Sequence, residues 1–294
     1  MKPVAVVGRF APSPTGDLHF GSLVAAVGSY LEAKSAGGRW LLRIEDIDPP
    51  REVEGSAGRI IDDLNRLGLA PDGPVLYQSN RLNAYQDAAN QLLEKGLAYP
   101  CACSRKDLSE TGRYPGTCRN GIPAGKTRRS VRFFVDDGPC LFNDKLQGLV
   151  SESPADTYGD FIIKRADGLF AYQLAVVVDD HFQGVTQVVR GADLLDSSCR
   201  QICLQKALGF VSPEYMHLPV VVSEDGKKLG KRIRTDPVNH QEPVAAVSQA
   251  LRFLGQNPPQ GLSLNALWNW ALEHWNSDAI PRVRTICPDG ALSG

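Results

Sequence analysis

The sequence predicts an α/β fold in which nucleotide chemistry takes place at one edge of a mostly parallel sheet. Short apolar runs typical of buried strands alternate with segments whose apolar residues recur at helical spacing. The first apolar run leads into a loop rich in proline and glycine, at the strand end where open α/β sheets bind ligands. Residues 101–160 break the alternation and are rich in Gly, Pro, Cys and Arg. We therefore expect an insertion between two halves of one sheet.

The first half of the expected sheet precedes residue 101. Each predicted strand is a short apolar run, and the helices show apolar residues at helical spacing or residues that favour helix ends. The predicted elements are strand Val4–Phe10, helix Leu23–Ala33, strand Trp40–Ile44, a helix around Ile60–Leu67, and a helix from an N-cap at Ser79 to about Lys95, closed by Gly96.

The alternation resumes after the insertion, which itself contains a short predicted strand, Val131–Val135. The later elements are the strand-like runs Phe170–Val178 and Gln187–Val189, a helix near Asp193–Leu208, strand Leu218–Val222, and helices Val244–Leu254 and Leu264–Trp275, the last capped by Ser263. The predicted domains are residues 1–100 and 161–236 as the two sheet halves, 101–160 as the insertion, and 237–294 as a short helical cap.

Composition is that of a globular protein: 43% of the 294 residues are hydrophobic and 22% are charged. No apolar run reaches the roughly 18 residues of a membrane helix, and no secretory segment follows Met1. We therefore expect a cytoplasmic, monomeric enzyme without a membrane partner. The net charge of −1 indicates no overall affinity for polyanions, but residues 104–132 hold eight Lys or Arg against two acids. On charge alone, a phosphate-binding surface and a solvated insertion are equally consistent.

The loop after the first strand carries a specific string, Arg9-Phe-Ala-Pro-Ser-Pro-Thr-Gly-Asp-Leu-His19-Phe-Gly21. Its prolines stiffen the turn, Gly16 lets the backbone bend, and the small Gly21 admits a phosphate or adenine close to the backbone. His19 can donate a hydrogen bond as charge builds on an α-phosphate. A lone histidine is more often a packed or surface residue, but the whole string at a strand end is specific.

A second string, Lys227-Lys-Leu-Gly-Lys-Arg232, has the complementary chemistry. Lys228 and Lys231 can neutralise triphosphate oxygens while pyrophosphate leaves, which stabilises the transition state electrostatically. An isolated basic run of this kind is more often a solvated turn. The second string therefore indicates nucleotide chemistry only in combination with the first string.

Three of the seven cysteines, Cys101, Cys103 and Cys118, fall within 18 residues. Three thiolates form a strong ligand set for Zn²⁺, and an odd cysteine count argues against a disulfide framework. No histidine lies between His19 and His181, so a local Cys₃His site is excluded. We favour a structural zinc site over free thiols, and interpret Cys199 and Cys203, one helical turn apart, as core residues.

The two strings resemble the HIGH and KMSKS elements of class I aminoacyl-tRNA synthetases, in the form used by the glutamate and glutamine enzymes. Segments 43–49, 172–181 and 189–193 are similar to further signatures of that branch, so the resemblance spans about residues 4–240. It implies a Rossmann-type class I synthetase catalytic domain with a zinc-bearing insertion. The sequence departs from the generic motifs at Ser22, in place of a second histidine, and at Gly230, in place of a serine.

The resemblance also implies roles for individual residues. Glu45 would bind the α-ammonium of L-glutamate, while Arg9 and Arg190, with Tyr172, would hold its carboxylates. As an alternative, each of these charges could sit in a structural salt bridge. The remaining implied residues are Phe10, Ala11, Pro12 and Ser13 in the glutamate site, His19, Gly21 and Lys231 in the site for ATP and Mg²⁺, His19, Lys228 and Lys231 in catalysis, and Tyr114 as the fourth zinc ligand.

Only 62 residues follow Arg232, too few for the long helical anticodon-binding domain of glutamyl-tRNA synthetases. This shortened form with its Cys-x-Cys…Tyr-x-x-x-Cys insertion resembles the glutamyl-queuosine tRNA(Asp) synthetases. Members of that family activate glutamate with ATP without tRNA and transfer it to queuosine in the anticodon loop of tRNA(Asp). Two alternatives stay open: a truncated synthetase that charges a tRNA 3′ end, and a non-catalytic tRNA-binding module. Glutamate transfer to tRNA with and without queuosine separates the first, and glutamate-dependent pyrophosphate exchange separates the second.

Overall fold

The computed structural model describes residues 5–108, 110, 112–223 and 238–287. Strands and helices alternate along most of this part of the chain, as the sequence predicts. In chain order they are β1 (Val7–Phe10), α1 (Phe20–Ser35), β2 (Arg39–Ile44), α2 (Ser56–Arg66), β3 (Leu76–Tyr77), α3 (Leu82–Glu94), β4 (Ala98–Cys101), β5 (Ser130–Phe133), β6 (Cys140–Asp144), β7 (Gly148–Glu152), α4 (Pro154–Thr157), β8 (Phe161–Lys164), α5 (Tyr172–Phe182), β9 (Gln187–Gly191), α6 (Ser198–Leu208), β10 (Glu214–Leu218), β11 (Val220–Val221), α7 (Pro243–Phe253), α8 (Leu264–His274) and β12 (Thr285–Ile286).

Two sheet halves meet at an edge strand of each, β1 and β9. The first half has the parallel order β1-β2-β3, and the second has the order β7-β6-β10-β9, in which β6, β10 and β9 are parallel. The backbone N–H of Val7 donates to Thr186 Oγ1 (2.8 Å), and the N–H of Thr186 donates to the Val7 carbonyl (3.0 Å), which joins β1 to the start of β9. The strand order therefore reverses between β1 and β9, and their carboxyl ends border the crevice where open α/β sheets bind ligands.

Helix α1 packs closely against both halves. A Cβ at Gly8 would lie 2.9 Å from the Ala33 Cβ, and a Cβ at Gly28 would lie 2.5 Å from Leu218 Cδ1 of β10, so a side chain at either position would force its neighbours to shift. Phe10 and Trp40 stack in the same core, with ring centroids 6.3 Å apart. This packing fixes the end of β1, where the first functional string begins.

The segment predicted as one insertion contributes strands to two different sheets. Strands β4, β5 and β8 form a separate antiparallel sheet, whereas β6 and β7 form a hairpin that extends the second half, with Asp144 paired to Tyr215 of β10. Pairing with β6 satisfies the open edge of β10. The domain boundaries at residues 101 and 160 stay predictions, but part of that range belongs to the central sheet.

Three predicted elements differ in the structure. Ser79 is not an N-cap, because its N–H and Oγ both donate to the Asp46 carboxylate (2.9 and 2.6 Å) and α3 begins after a 3₁₀ turn at Gln78–Arg81. The run Phe170–Val178 is mostly the first part of α5, whose valines are buried on several sides and so lack an amphipathic pattern. The run Leu218–Val222 is split between the end of β10 and β11.

Helices α7 and α8 match the predicted C-terminal helices within a residue at each end, and Ser263 caps α8 by accepting from the Ala266 N–H (3.4 Å). Trp268 Nε1 donates to the Leu67 carbonyl (2.8 Å), and Trp275 Nε1 donates to Glu32 Oε2 (2.8 Å). The two helices therefore share the core of the first half. Within the described residues, no helix is both long and apolar enough to cross a bilayer.

Candidate active site and thiolate cluster

A cavity of about 620 Å³ lies where β1 and β9 end. Lys228 and Lys231, predicted to act here, lie outside the described residues. Every other residue predicted for the glutamate and nucleotide sites lines this cavity: Arg9, Phe10, Ala11, Pro12, Ser13, His19, Gly21, Glu45, Tyr172 and Arg190.

The loop from Phe10 to Leu18 is held in place by its neighbours. The N–H of Glu45, just after β2, donates to the Pro12 carbonyl (3.0 Å), so the acidic residue is fixed to the first string. Ser56, the first residue of α2, donates to the Gly16 carbonyl (2.6 Å) and accepts from the Gly16 N–H (3.1 Å). Gly16 has φ of +138°, a backbone conformation that favours glycine. No motif or periodicity in the sequence indicates this role of Ser56.

His19 caps the N-terminus of α1, and Ser22 holds its ring. The Ser22 N–H donates to His19 Nδ1 (3.2 Å), and Ser22 Oγ lies 3.0 Å from Nε2. Because Nδ1 is an acceptor, the neutral ring carries its proton on Nε2. A Cβ at Gly21 would lie 3.3 Å from the same ring. The departure at Ser22 thus orients the histidine, and the N-terminus of α1, which favours anions, borders the cavity.

Arg9 is 3% exposed and is only partly engaged by the protein. Its Nε donates to Asp180 Oδ1 (3.3 Å) and its Nη1 donates to the Val189 carbonyl (3.3 Å). In the described part of the chain, the other three of its five N–H groups meet no acceptor. A guanidinium in this state can bind a carboxylate through two hydrogen bonds.

Arg43 holds two carboxylates beneath the cavity. Its Nη1 donates to Asp180 (2.8 Å), and its Nη2 lies 3.4 Å from Glu45 Oε1. Burial acts to raise the pKa of Asp180, but Arg43 and Arg9 outweigh burial and hold that pKa below its usual range. Asp180 therefore stays ionised and anchors Arg9. The sequence placed it in a matched segment but assigned it no role.

Glu45 is the carboxylate that faces the cavity. Burial raises its pKa, while Arg43 and Arg9 oppose that shift. Arg43 is its only side-chain partner among the residues described, and that contact is long. A cationic group entering the cavity would find an acceptor here whose ionised form it favours.

Arg190, on β9, is held far more tightly than Arg9. It donates four of its five N–H groups to the protein, which leaves one Nη1 hydrogen for a ligand. Its acceptors are His217 Nε2 (3.0 Å), Gln201 Oε1 (2.9 Å), Ser198 Oγ (2.9 Å) and the Leu194 carbonyl (3.3 Å). Of these two guanidinium groups, Arg9 thus offers a ligand more hydrogen bonds, and Arg190 offers mainly fixed charge.

Tyr172 is the first residue of α5, after the N-cap residue Ala171. Burial raises the pKa of its phenol, so the hydroxyl keeps its proton near neutral pH. Its side chain lines the cavity together with those of Arg9 and Arg190. The group can therefore donate a hydrogen bond to an anion between the two guanidinium groups.

The three predicted cysteine ligands converge in the loops around β4, in a buried cluster with Tyr114. The Cys103 and Cys118 sulfurs are 3.7 Å apart, and the Tyr114 hydroxyl lies 3.4 Å from Cys101 Sγ and 3.7 Å from Cys103 Sγ. Tetrahedral zinc with Zn–S bonds of about 2.3 Å would separate sulfurs by about 3.8 Å, and a sulfur from a zinc-bound oxygen by about 3.5 Å. The donor set and spacing fit this ion.

Arg132 supports the cluster from β5. Its Nε donates to Cys101 Sγ (3.3 Å), and its guanidinium lies over the Tyr114 ring, 3.8 Å from the centroid. Its Nη1 donates to the Asp160 carbonyl (2.7 Å). The cation therefore lies where it favours negative charge on the Cys101 sulfur.

The basic stretch is less available than its composition suggests. Arg119 pairs with Asp160 (2.7 Å), Lys126 lies 3.4 Å from Asp107, and Arg132 is buried. Lys106, Arg128 and Arg129 are exposed and have no ion pair within the described chain. Among the described residues only part of this charge is available to phosphates, and a phosphate-binding surface and a solvated insertion both stay open.

Known proteins are similar to this chain over most of its length. Residues 5–246 match the family model described as tRNA synthetases class I (E and Q), catalytic domain. A "Glutamyl-Q tRNA(Asp) synthetase" of Dechloromonas aromatica (strain RCB) is 53% identical over 95% of this chain and 97% of its own length. One of Pseudomonas aeruginosa (strain PAO1) is 50% identical over 95% and 97%. The crystal structure of glutamate-tRNA synthetase from Elizabethkingia anophelis superposes with a TM-score of 0.79 at 27% identity, covering 97% of this chain and 69% of that one.

Proposed function

The chain belongs to the class I tRNA synthetases of the glutamate and glutamine branch and, within them, to the glutamyl-Q tRNA(Asp) synthetases, and from this premise we propose its reaction. The α-carboxylate of L-glutamate attacks the α-phosphate of ATP, which forms glutamyl-adenylate and releases pyrophosphate. A hydroxyl of queuosine in the anticodon loop of tRNA(Asp) then attacks the activated carbonyl, which forms an ester and releases AMP.

One observation carries the proposal: the charges in the cavity complement those of glutamate. Two buried guanidinium groups, Arg9 and Arg190, face the cavity together with one buried carboxylate, Glu45. Glutamate carries two carboxylates and one ammonium group. An amino acid with one carboxylate would leave the unused N–H groups of one buried guanidinium without an acceptor, which is costly in a buried site.

We assign the glutamate-binding roles on this basis. Arg9 and Arg190, with the Tyr172 hydroxyl, hold the two carboxylates, and Glu45 accepts from the α-ammonium. The wall formed by Phe10, Ala11, Pro12 and Ser13 closes the site along its other side.

The nucleotide takes the other part of the cavity, next to α1. His19 Nε2–H would turn from Ser22 Oγ to the α-phosphate as negative charge grows there, and Gly21 leaves room for the nucleotide against the helix. Lys228 and Lys231 balance the triphosphate, with Mg²⁺, while pyrophosphate leaves. These lysine roles rest on the sequence, since the loop lies outside the described residues.

We propose that Cys101, Cys103, Cys118 and Tyr114 hold one structural zinc ion. With four protein ligands no position is open to a substrate, so the ion would stabilise the loops around β4 rather than take part in the reaction. Arg132 would act on the ligands from outside.

We expect the purified protein to contain about one zinc per chain, and Cys103→Ser to lose it. The variant should keep the parallel sheet, because the cluster lies apart from the main core. Metal analysis by mass spectrometry measures the zinc, and circular dichroism checks the fold. Cys287→Ser, outside the cluster, is the matched control and should keep its zinc. Metal-free wild-type protein with seven titratable thiols would disprove the site.

For the acceptor, we propose that the anticodon stem-loop of tRNA(Asp) approaches the cavity and that Lys106, Arg128 and Arg129 contact its phosphates. Affinity should then fall steeply with salt. We propose that the enzyme acts as a monomer in the cytoplasm, where ATP and tRNA are found.

Glutamate-dependent exchange of pyrophosphate into ATP, without tRNA, tests the activation step. We expect robust exchange, because the family resemblance implies activation independent of tRNA. An inactive protein under these conditions would favour the non-catalytic alternative. Exchange that appears only after tRNA is added would favour the truncated synthetase that charges 3′ ends.

A further inference from the structure

Behind Arg190 lies a buried chain of hydrogen bonds that none of the assigned roles includes. His217 Nδ1 is 2.6 Å from Asp144 Oδ2, and His217 Nε2 is 3.0 Å from Arg190 Nε. The side chains of Asp144 and His217 have no solvent exposure. The chain therefore runs from the last residue of β6, through β10, to the guanidinium on β9 that faces the cavity.

The chemistry of the three groups fixes the direction of this chain. A guanidinium can only donate, so His217 Nε2 must be the acceptor and must be unprotonated. The ring proton is then on Nδ1, which donates to the Asp144 carboxylate. Ser198 Oγ accepts from Arg190 Nη2 and lies 3.3 Å from the same His217 nitrogen, to which its own hydrogen can donate.

The electrostatics agree with a neutral ring. Burial lowers the pKa of His217, and Arg190 acts in the same direction, while Asp144 opposes them. Burial acts to raise the pKa of Asp144, but His217 and the backbone N–H groups around it outweigh burial and lower that pKa. Asp144 thus stays an acceptor.

We propose that Asp144 and His217 form a positioning pair that holds the Arg190 guanidinium ready for the substrate carboxylate. The inference rests on the proposed glutamate activation. The pair presents one acceptor lone pair to Arg190 Nε and so fixes the plane of the guanidinium, which leaves its single unused Nη1 hydrogen in a defined direction. Its contribution is to glutamate binding rather than to the reacting atoms.

The two oxygens of Asp144 allow this role to be separated from a purely structural one. Oδ1 accepts from the backbone N–H groups of Leu146 (3.1 Å), Gln147 (2.8 Å) and His217 (3.2 Å), which shapes the β6–β7 turn. Oδ2 accepts from the His217 ring. Asp144→Asn can keep all three backbone contacts through its remaining oxygen. Its NH₂ group would donate to His217 Nδ1, which forces the ring proton onto Nε2, against the Arg190 Nε–H.

Asp144→Asn should therefore raise KM for glutamate on the order of tenfold in pyrophosphate exchange, with KM for ATP unchanged. Asp63→Asn is the matched control, because Asp63 is also a buried carboxylate but lies on α2, without a contact to Arg190, and should change neither constant. In His217→Gln, the amide oxygen can accept from Arg190 without a tautomer to control. Asp144→Asn should then raise KM for glutamate much less in the His217→Gln variant than in the wild type.

Two measurements overturn the inference. One is a glutamate KM that stays unchanged in Asp144→Asn, or that rises equally in the His217→Gln background. The other measurement does not depend on the activity of any variant. It is ¹⁵N NMR of the histidine-labelled wild type, in which the His217 signal is assigned by its loss in His217→Gln. The spectrum should show a neutral His217 ring with its proton on Nδ1. A ring protonated on Nε2 would contradict the chain even if Asp144→Asn failed to fold. Absence of exchange in the wild type would instead refute the proposed function.

Discussion

Glutamate should be activated on the order of 10⁴-fold more efficiently than glutamine, measured as kcat/KM in pyrophosphate exchange. Three N–H groups of Arg9 meet no acceptor in the described structure, and the remaining one on Arg190 Nη1 has its direction fixed. The amide of glutamine would present a donor to guanidinium groups that can only donate, and the unused N–H groups of a buried guanidinium would lose a charged acceptor.

The selectivity should depend on Arg9 rather than on basic residues in general. Arg9→Gln should lose glutamate activation and most of the ratio between the two amino acids. Arg66→Gln is the control, because Arg66 donates to the Val238 and Gln241 carbonyls away from the cavity and should leave the ratio unchanged. Comparable activation of glutamate and glutamine by the wild type would rule out this pocket.

Lys231→Ala should lower kcat for adenylate formation by about 10²–10³-fold, the usual cost of removing one preorganised group that stabilises developing charge. KM for glutamate should stay near the wild-type value, because the proposed glutamate-binding residues Arg9, Arg190 and Glu45 lie outside this string. Single-turnover formation of glutamyl-adenylate separates the two constants.

Lys227→Ala is the matched control for this loop, since Lys227 precedes the part of the string that aligns with the family's two lysines. It should retain most of the rate. If Lys231→Ala exchanged pyrophosphate as fast as the wild type, the assignment of this string as the loop that stabilises pyrophosphate release would be wrong.

The sequence predicts the groups of the cavity because they belong to strings whose chemistry is recognisable. Arg9, His19 and Glu45 each follow or end a predicted strand, and the carboxyl ends of parallel strands meet at one edge. The parallel sheet brings these residues into one cavity. Predicting that they meet therefore required only the two strings and the correct sheet topology.

The groups that hold the cavity in shape were not predictable in the same way. Asp144 and His217 lie 73 residues apart, and each alone is an ordinary buried polar residue in a strand. The two residues meet because β6 pairs with β10. The sequence did not predict this pairing, because β6 falls within the expected insertion at residues 101–160. A hydrogen-bond chain between distant strands leaves no periodic or local pattern in a sequence.

One difference from the prediction has a physical cause. The valines at residues 176–178 resemble a strand in the sequence, because a helix buried on several sides lacks the polar face that identifies it. Composition could not show which charges of the basic stretch are available, because it does not reveal pairing: Asp160 neutralises Arg119, and Arg132 donates to Cys101 Sγ.

The most direct test of the account uses an isolated anticodon stem-loop of tRNA(Asp) with ATP and radiolabelled glutamate. The stem-loop that contains queuosine should accept glutamate, although it has no acceptor end. The same stem-loop with unmodified guanosine should not, because it lacks the hydroxyl groups of the cyclopentene ring. Glutamylation confined to full-length tRNA with an intact 3′-terminal adenosine would contradict the account and identify a truncated synthetase that charges 3′ ends.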